Sequence, residues 1–136
     1  MDMLIEKTQG RVPVTILGLK GDLDASNFQE FVKKVRELYA IDGYDLLLDL
    51  SRLNFLSSSG IVALHNIALI MRGDQPLDLD KGWSTFHAIK ENKSNGKQEH
   101  VKILNPSPKI QETLHKTGMD AFFEVFYDWN TALASF

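Results

Sequence analysis

Residues 45–71 read DLLLDLSRLNFLSSSGIVALHNIALIM, and this stretch carries most of the information about the fold. It opens with a predicted strand, Leu46–Leu50, whose consecutive leucines are typical of a strand covered on both faces. After a polar turn come three serines and Gly60, followed by apolar residues at helical spacing. The serines thus stand at a predicted helix N-terminus, where N–H groups lack intrahelical partners and the helix dipole is positive. Because such a position attracts anions, we expect a phosphate switch or an anion-contacting surface rather than a catalytic pocket.

The composition limits the classes of function. The chain has 136 residues, 43% hydrophobic and 24% charged, which indicates an ordinary globular protein with one core. Its net charge of −3 and lack of a basic patch argue against a nucleic-acid partner. The absence of cysteine excludes disulfides, thiolate zinc sites and a cysteine nucleophile. No apolar run approaches the ~20 residues of a membrane span, and the N-terminus has no secretory signal, so we expect a cytoplasmic protein.

Strand and helix patterns alternate along the chain in the order β-β-α-β-α-β-α-β-α. Apolar residues recur at helical spacing from Phe28 to Tyr39, with Ser26 as the predicted N-cap and Gln29 as its capping-box partner. This alternation predicts parallel crossovers and an α/β layer fold. The other predicted elements are strands at Leu4–Thr8, Val12–Leu19, Val101–Leu104 and Phe122–Tyr127, a turn at Gly21–Asn27, a helix that Ser107 caps at its start and Gly118 at its end, and a last helix capped by Asp128.

The segment between about residues 73 and 99 is polar and charged, and it is too long for an ordinary connection. We therefore expect one domain over residues 1–136 with an insertion at 73–99. Trp83 and Phe86 in this insertion are either a small docked cluster or an exposed contact patch, and docking is the favoured interpretation.

Four short motifs carry a family resemblance when they are taken together. They are Gly21–Asp24 (GDLD), Leu48–Ser51 (LDLS), Phe55–Gly60 (FLSSSG) and Leu104–Pro108 (LNPSP). In this order and at this spacing they resemble the STAS domain, the module shared by bacterial anti-sigma factor antagonists and sulfate transporters. The resemblance covers nearly the whole chain apart from the insertion, and it implies a STAS-like α/β domain with a mixed β-sheet and helices packed on it.

The resemblance implies a role for the serines. In the antagonists of this family the helix opens with Asp-Ser-Ser-Gly, and the serine before the glycine is phosphorylated by an anti-sigma factor that is also a kinase. Matched residue by residue, that phosphoacceptor falls on Ser59, and the family's aspartate falls on Ser57, where this sequence departs from the pattern. By the same resemblance the loop before the first helix lies beside the serine loop. The implied partner-binding residues are Asp22, Asp24, Ser57, Ser58, Ser59, Gly60 and Ile61.

A phosphoryl group on Ser59 would add about −1.5 to −2 charges. We expect the fold to tolerate it at a helix N-terminus, whereas a partner packed over Ser59 and Ile61 would have to desolvate a dianion. A loss of only ~4 kcal/mol of binding free energy weakens a complex about a thousandfold. The alternative is that the serines only cap the helix, which is worth about 1 kcal/mol. In the same way Asp22 and Asp24 fit turn and capping chemistry as well as an interface.

The sequence therefore predicts an anti-sigma factor antagonist. Its unphosphorylated form would bind an anti-sigma factor with serine kinase activity and release a sigma factor, and phosphorylation of Ser59 would end the binding. The protein would be a monomer or homodimer, without cofactor or metal, and not an enzyme. Two alternatives stay open. One is a STAS domain without a switch, acting as a scaffold or as an accessory to a membrane transporter. The other is a small serine hydrolase, although Ser59 lacks the Gly-x-Ser-x-Gly context of such enzymes.

Overall fold

The computed structural model describes residues 1–73 and 97–136. Its five strands form one sheet in the order β1-β2-β3-β4-β5, in which β1 is antiparallel to β2 and the other neighbours are parallel. The predicted α/β fold with a mixed sheet is thus confirmed. The strands are β1 (Asp2–Gln9), β2 (Pro13–Leu23), β3 (Asp45–Leu56), β4 (Val101–Leu104) and β5 (Val125–Phe126), and the helices are α1 (Phe28–Asp42), α2 (Ser58–Met71), α3 (Pro108–Lys116), α4 (Met119–Phe122) and α5 (Trp129–Ala134).

The helices cover the two faces of the sheet unequally. Alternate side chains of a strand point to opposite faces, and Leu17 and Leu48 belong to a large core cluster that includes buried residues of α1, α2, α3 and α4. Ile16 and Leu47 point the other way, into a small cluster completed by Ala132 of α5. The main core therefore lies between the sheet and the first four helices, and α5 alone among the described helices packs on the second face.

Helix α2 is buried on all sides. Every residue from Gly60 to Met71 is buried, including His65 and Asn66. The His65 ring stacks on Phe122 at 5.0 Å between centroids, and the Asn66 side-chain amide donates to the Val62 carbonyl at 3.0 Å. The apolar sequence of this helix is explained by its central position, because a helix without a polar face must be enclosed.

Two boundaries near the serines differ from the prediction. Strand β3 does not end at Leu50 but continues to Leu56, and β2 extends to Leu23 through part of the predicted turn. Asp49 therefore lies within β3, where its carboxylate accepts from the Ser51 N–H at 3.0 Å. The capping box of Ser26 is also wrong: Asn27 occupies the N-cap of α1 and makes no side-chain cap bond. Because β2 and β3 pair with each other up to Leu23 and Leu56, both strands continue through polar residues that the local pattern predicts to be turns.

The predicted strand at Phe122–Tyr127 is mostly wrong. Only Val125–Phe126 forms a strand, and Phe122 ends the short helix α4. Phe122 and Phe123 are both buried in the main core, with their rings in edge contact at 4.9 Å. A strand would send these neighbours to opposite faces, whereas the end of a helical turn lets both enter one core.

Two other expectations concern the helix caps and the insertion. Ser107 and Asp128 cap α3 and α5 as predicted, accepting from the N–H groups of Ile110 and Thr131. The expected insertion, with Trp83 and Phe86, falls almost wholly outside the described residues. Within residues 1–73 and 97–136, no helix has the length and hydropathy that crossing a bilayer requires, and no cluster of potential metal ligands occurs.

Candidate partner-binding site

The predicted site residues meet at one edge of the sheet. Because β2, β3 and β4 are parallel, their carboxyl ends share an edge, and the loops that follow them converge there. These segments are residues 24–27, the serine loop (the N-cap Ser57 with Ser58 and Ser59, the first two residues of α2) and residues 105–107. In the third loop Asn105 has φ +52°, a left-handed conformation that asparagine tolerates better than most residues.

Gly60 sets how closely the serines approach the end of β2. A Cβ atom at this position would lie 2.6 Å from Leu56 Cδ1 and 2.9 Å from the Leu23 carbonyl oxygen, closer than atoms pack. The Ser57 N–H donates to that same Leu23 carbonyl at 3.0 Å. Glycine is therefore required here for space, and it seats the first turn of α2 directly against the strand ends.

The three serines have different environments. Ser57 is the N-cap of α2, and its hydroxyl accepts from the Gly60 N–H at 3.2 Å. Ser58 is exposed and Ser59 is half-buried, and within the described part of the chain neither hydroxyl makes a hydrogen bond. One serine thus performs the capping function, and two hydroxyls remain free at the helix N-terminus.

The aspartates also differ in what they do. The Asp24 carboxylate accepts from both the N–H and the hydroxyl of Ser26, at 2.9 and 2.5 Å. The bond from the Ser26 hydroxyl has the largest effect on the pKa of Asp24 and the bond from the Ser26 N–H the next largest. Both lower this pKa below its ordinary value. Asn27 ties the loop further, since its amide donates to the Asp22 carbonyl at 2.8 Å and accepts from the Asp24 N–H at 3.0 Å. Asp24 therefore holds the loop together, while the exposed Asp22 keeps its carboxylate free of such bonds.

Gly60 and Ile61 do not contribute to the surface. Gly60 is buried, and the Ile61 side chain is 2% exposed and belongs to the main core. The expectation that a partner packs over Ile61 is therefore not supported by the geometry. The predicted residues that do offer side-chain surface are Asp22, Asp24, Ser57, Ser58 and Ser59.

Sequence reasoning missed two residues at this edge, Phe55 and Lys109. The Phe55 side chain is 43% exposed, and the Lys109 ammonium lies 5.7 Å from the centroid of its ring. The strand pattern predicts that Phe55 is buried, because strict alternation would place it on the same face as the buried Leu53. The register instead shifts between β2 and β3, pairing Gly21 with Leu53 but Asp22 with Phe55. This irregularity inserts one residue and turns Phe55 outward.

Comparison with known proteins places this geometry in context. The family model described as the STAS domain matches residues 5–72, a span that includes every predicted site residue. No curated protein sequence matches the chain.

Three solved structures share the fold. An anti-sigma factor antagonist from Mycobacterium paratuberculosis is 20% identical with a TM-score of 0.65, covering 98% of this chain and 92% of its own. An antagonist of the same described class from Thermotoga maritima is 18% identical with a TM-score of 0.69, covering 96% and 91%. The Bacillus cell fate determinant SpoIIAA in its phosphorylated form is 16% identical with a TM-score of 0.56, covering 97% and 96%.

Proposed function

Since the chain belongs to the STAS domain family, we propose that it is an anti-sigma factor antagonist controlled by phosphorylation of Ser59. The unphosphorylated protein binds an anti-sigma factor with serine kinase activity and thereby releases a sigma factor. The protein is a substrate and a binding module in the cytoplasm rather than an enzyme. The observation that carries this proposal is the free Ser59 hydroxyl at the start of α2, beside a serine that already caps the helix.

The division of roles between Ser57 and Ser59 bears on the departure from the family motif. Aspartate and serine are both strong N-cap residues, because each offers an oxygen to the first free N–H groups of a helix. Ser57 makes this bond with the Gly60 N–H. The substitution therefore keeps the helix start intact and removes only a carboxylate, which leaves Ser59 available as the acceptor.

The physical basis of the switch is local charge. A phosphoryl group on Ser59 would add about −1.5 to −2 charges at a helix N-terminus, where anions are favoured. The start of this helix lies against Leu23, the residue between Asp22 and Asp24 in the chain. A partner that packs against this edge would have to desolvate the phosphate or leave. The structure of Bacillus SpoIIAA in its phosphorylated form supports the expectation that a fold of this kind tolerates such a group.

The test is a pull-down from host lysate with the wild type, Ser59→Asp and Ser58→Asp, followed by identification of the bound proteins. We expect the wild type to capture a kinase-like anti-sigma factor and Ser59→Asp to lose it. Incubation of that kinase and ATP with Ser59→Ala should give no phosphoprotein, whereas the matched control Ser58→Ala should still be modified. Equal capture by wild type and Ser59→Asp would exclude the switch, and capture of a transporter subunit would favour an accessory role.

A further inference from the structure

The exposure of Phe55 is not explained by the packing of the core, to which its side chain does not belong. It is 43% exposed, although burial of a Phe side chain in the core would stabilise the protein. Its neighbours Leu53 and Leu56 both face the core, and the register shift opposite Asp22 leaves Phe55 pointing away from them. The fold thus holds an aromatic ring in solvent two residues before the cap of α2.

The surroundings of the ring carry opposite charges on two sides. Lys109, near the start of α3, places its ammonium 5.7 Å from the ring centroid. Asp22 is the register partner of Phe55 on β2 and is exposed. Neither Lys109 nor Asp22 forms an ion pair within the described part of the chain, so both charges remain available. An aromatic ring between a free cation and a free anion can define the orientation of a partner as well as its affinity.

Interfaces concentrate binding energy in a few aromatic anchors near their centre, and the charges around them contribute specificity and association rate. We propose that Phe55 is the apolar anchor of the contact with the anti-sigma factor kinase, inserted into an apolar recess that carries an acidic group facing Lys109 and a basic group facing Asp22. This inference rests on the proposed function and adds the residue that supplies the affinity.

The location of the anchor also accounts for the effect of one phosphate. The Phe55 backbone continues through Leu56 into the serine loop, and Gly60 holds that loop tightly against the strand ends. A recess that closes over Phe55 would therefore exclude water from the neighbouring Ser59 as well. A dianion in that position would have to be desolvated for the anchor to insert.

The experiment is a calorimetric titration of each anti-sigma factor kinase of the source organism, purified singly, with the full chain and its variants. For the kinase that binds the wild type, we expect Phe55→Ala to weaken binding by about 30-fold, and Phe55→Leu to restore most of the affinity. The matched control is Ile41→Ala, because Ile41 is 75% exposed near the end of α1, and it should stay within twofold of the wild type. Lys109→Ala should cost about 3- to 10-fold, with an effect that shrinks as salt is added.

The outcomes separate the two proposals. If the wild type binds a kinase and Phe55→Ala binds within threefold of it, the anchor is excluded and the proposed function stands. If Phe55→Ala and Ile41→Ala weaken binding equally, the contact is not centred on Phe55 and the inference is again overturned. If no kinase binds the wild type, both proposals fail. Circular dichroism and thermal melting of Phe55→Ala check that the variant is folded. If it is not, Phe55→Gln supplies the second test, because it keeps a long side chain but removes its apolar character, and binding within threefold of the wild type would again exclude the anchor.

Discussion

Individual residues at the carboxyl edge of the sheet divide the work of the site. Ser57 caps α2, and Asp24 holds the loop before α1 together. Gly60 has no side chain, so the start of α2 can lie directly against Leu23 at the end of β2. Within the described residues, the hydroxyls of Ser58 and Ser59 and the Asp22 carboxylate make no such hydrogen bonds. The free groups are thus presented by a framework whose other polar groups are engaged, which limits the conformational entropy lost on binding.

The most sensitive of these framework positions is Gly60. We expect Gly60→Ala to lower the free energy of unfolding by about 1–3 kcal/mol, because the new methyl group would collide with the Leu23 carbonyl as well as with Leu56. Urea denaturation followed by circular dichroism measures the change. The matched control is Gly18→Ala, where the nearest atom to an added Cβ is 3.6 Å away. Equal stability of the two variants would contradict the steric argument.

Helix α5 is short and packs on the second face of the sheet. It has six residues and contributes Ala132 to the small second core. Lys102 of β4 reaches beneath it, and its ammonium donates to the Ser135 carbonyl at 2.8 Å, contacts Glu124 at 3.5 Å and faces the Phe136 ring at 4.9 Å. A lysine that is only 4% exposed thus ties the C-terminal segment to the sheet.

Removal of this lysine should release the C-terminal segment before it unfolds the protein. For Lys102→Ala we expect a loss of about 2 kcal/mol, from hydrogen bonds to a charged group, and faster hydrogen exchange in residues 129–136 with little change in α1. Hydrogen exchange with mass spectrometry gives both readouts. Lys116→Ala is the control, since its ion pair with Glu112 is exposed and such pairs are worth little. Uniformly faster exchange throughout Lys102→Ala would show that the tie is not local.

For the whole molecule, the main consequence of the fold is that the proposed switch does not require refolding. The serine loop lies outside the main core, on a sheet edge formed by three parallel strands, while α2 is enclosed behind it. We expect a charge added at Ser59 to change the surface while the buried side of the helix stays packed.

We therefore expect Ser59→Asp to keep the free energy of unfolding within about 1 kcal/mol of the wild type, because an acidic group in the first turn of a helix is favoured by the dipole. Chemical denaturation and near-ultraviolet circular dichroism check stability and packing. Ser58→Asp serves for comparison. A large loss of stability in Ser59→Asp alone would mean that any loss of partner binding reflects unfolding rather than charge.

Much of the architecture was predictable because it depends on local patterns. The apolar segments of β2, β3 and α2 and the caps at Ser107 and Asp128 lie as expected. The errors occur where a neighbouring element overrides the local preference. Parallel pairing carries β2 and β3 through polar residues, and joint burial of Phe122 and Phe123 replaces a predicted strand with a helical turn.

The order of apolar and polar residues was enough to specify the α/β class and the serines at a helix N-terminus, since these follow from periodicity and from the hydrogen bonds that each residue type can make. This order of residues did not predict which side chains at the serine loop are exposed and which are buried. Only packing between distant segments buries Ile61, presses Gly60 against Leu23 and turns Phe55 outward beside Lys109. The reason is that these outcomes depend on strand register and close contact between elements far apart in the chain, which no local pattern encodes.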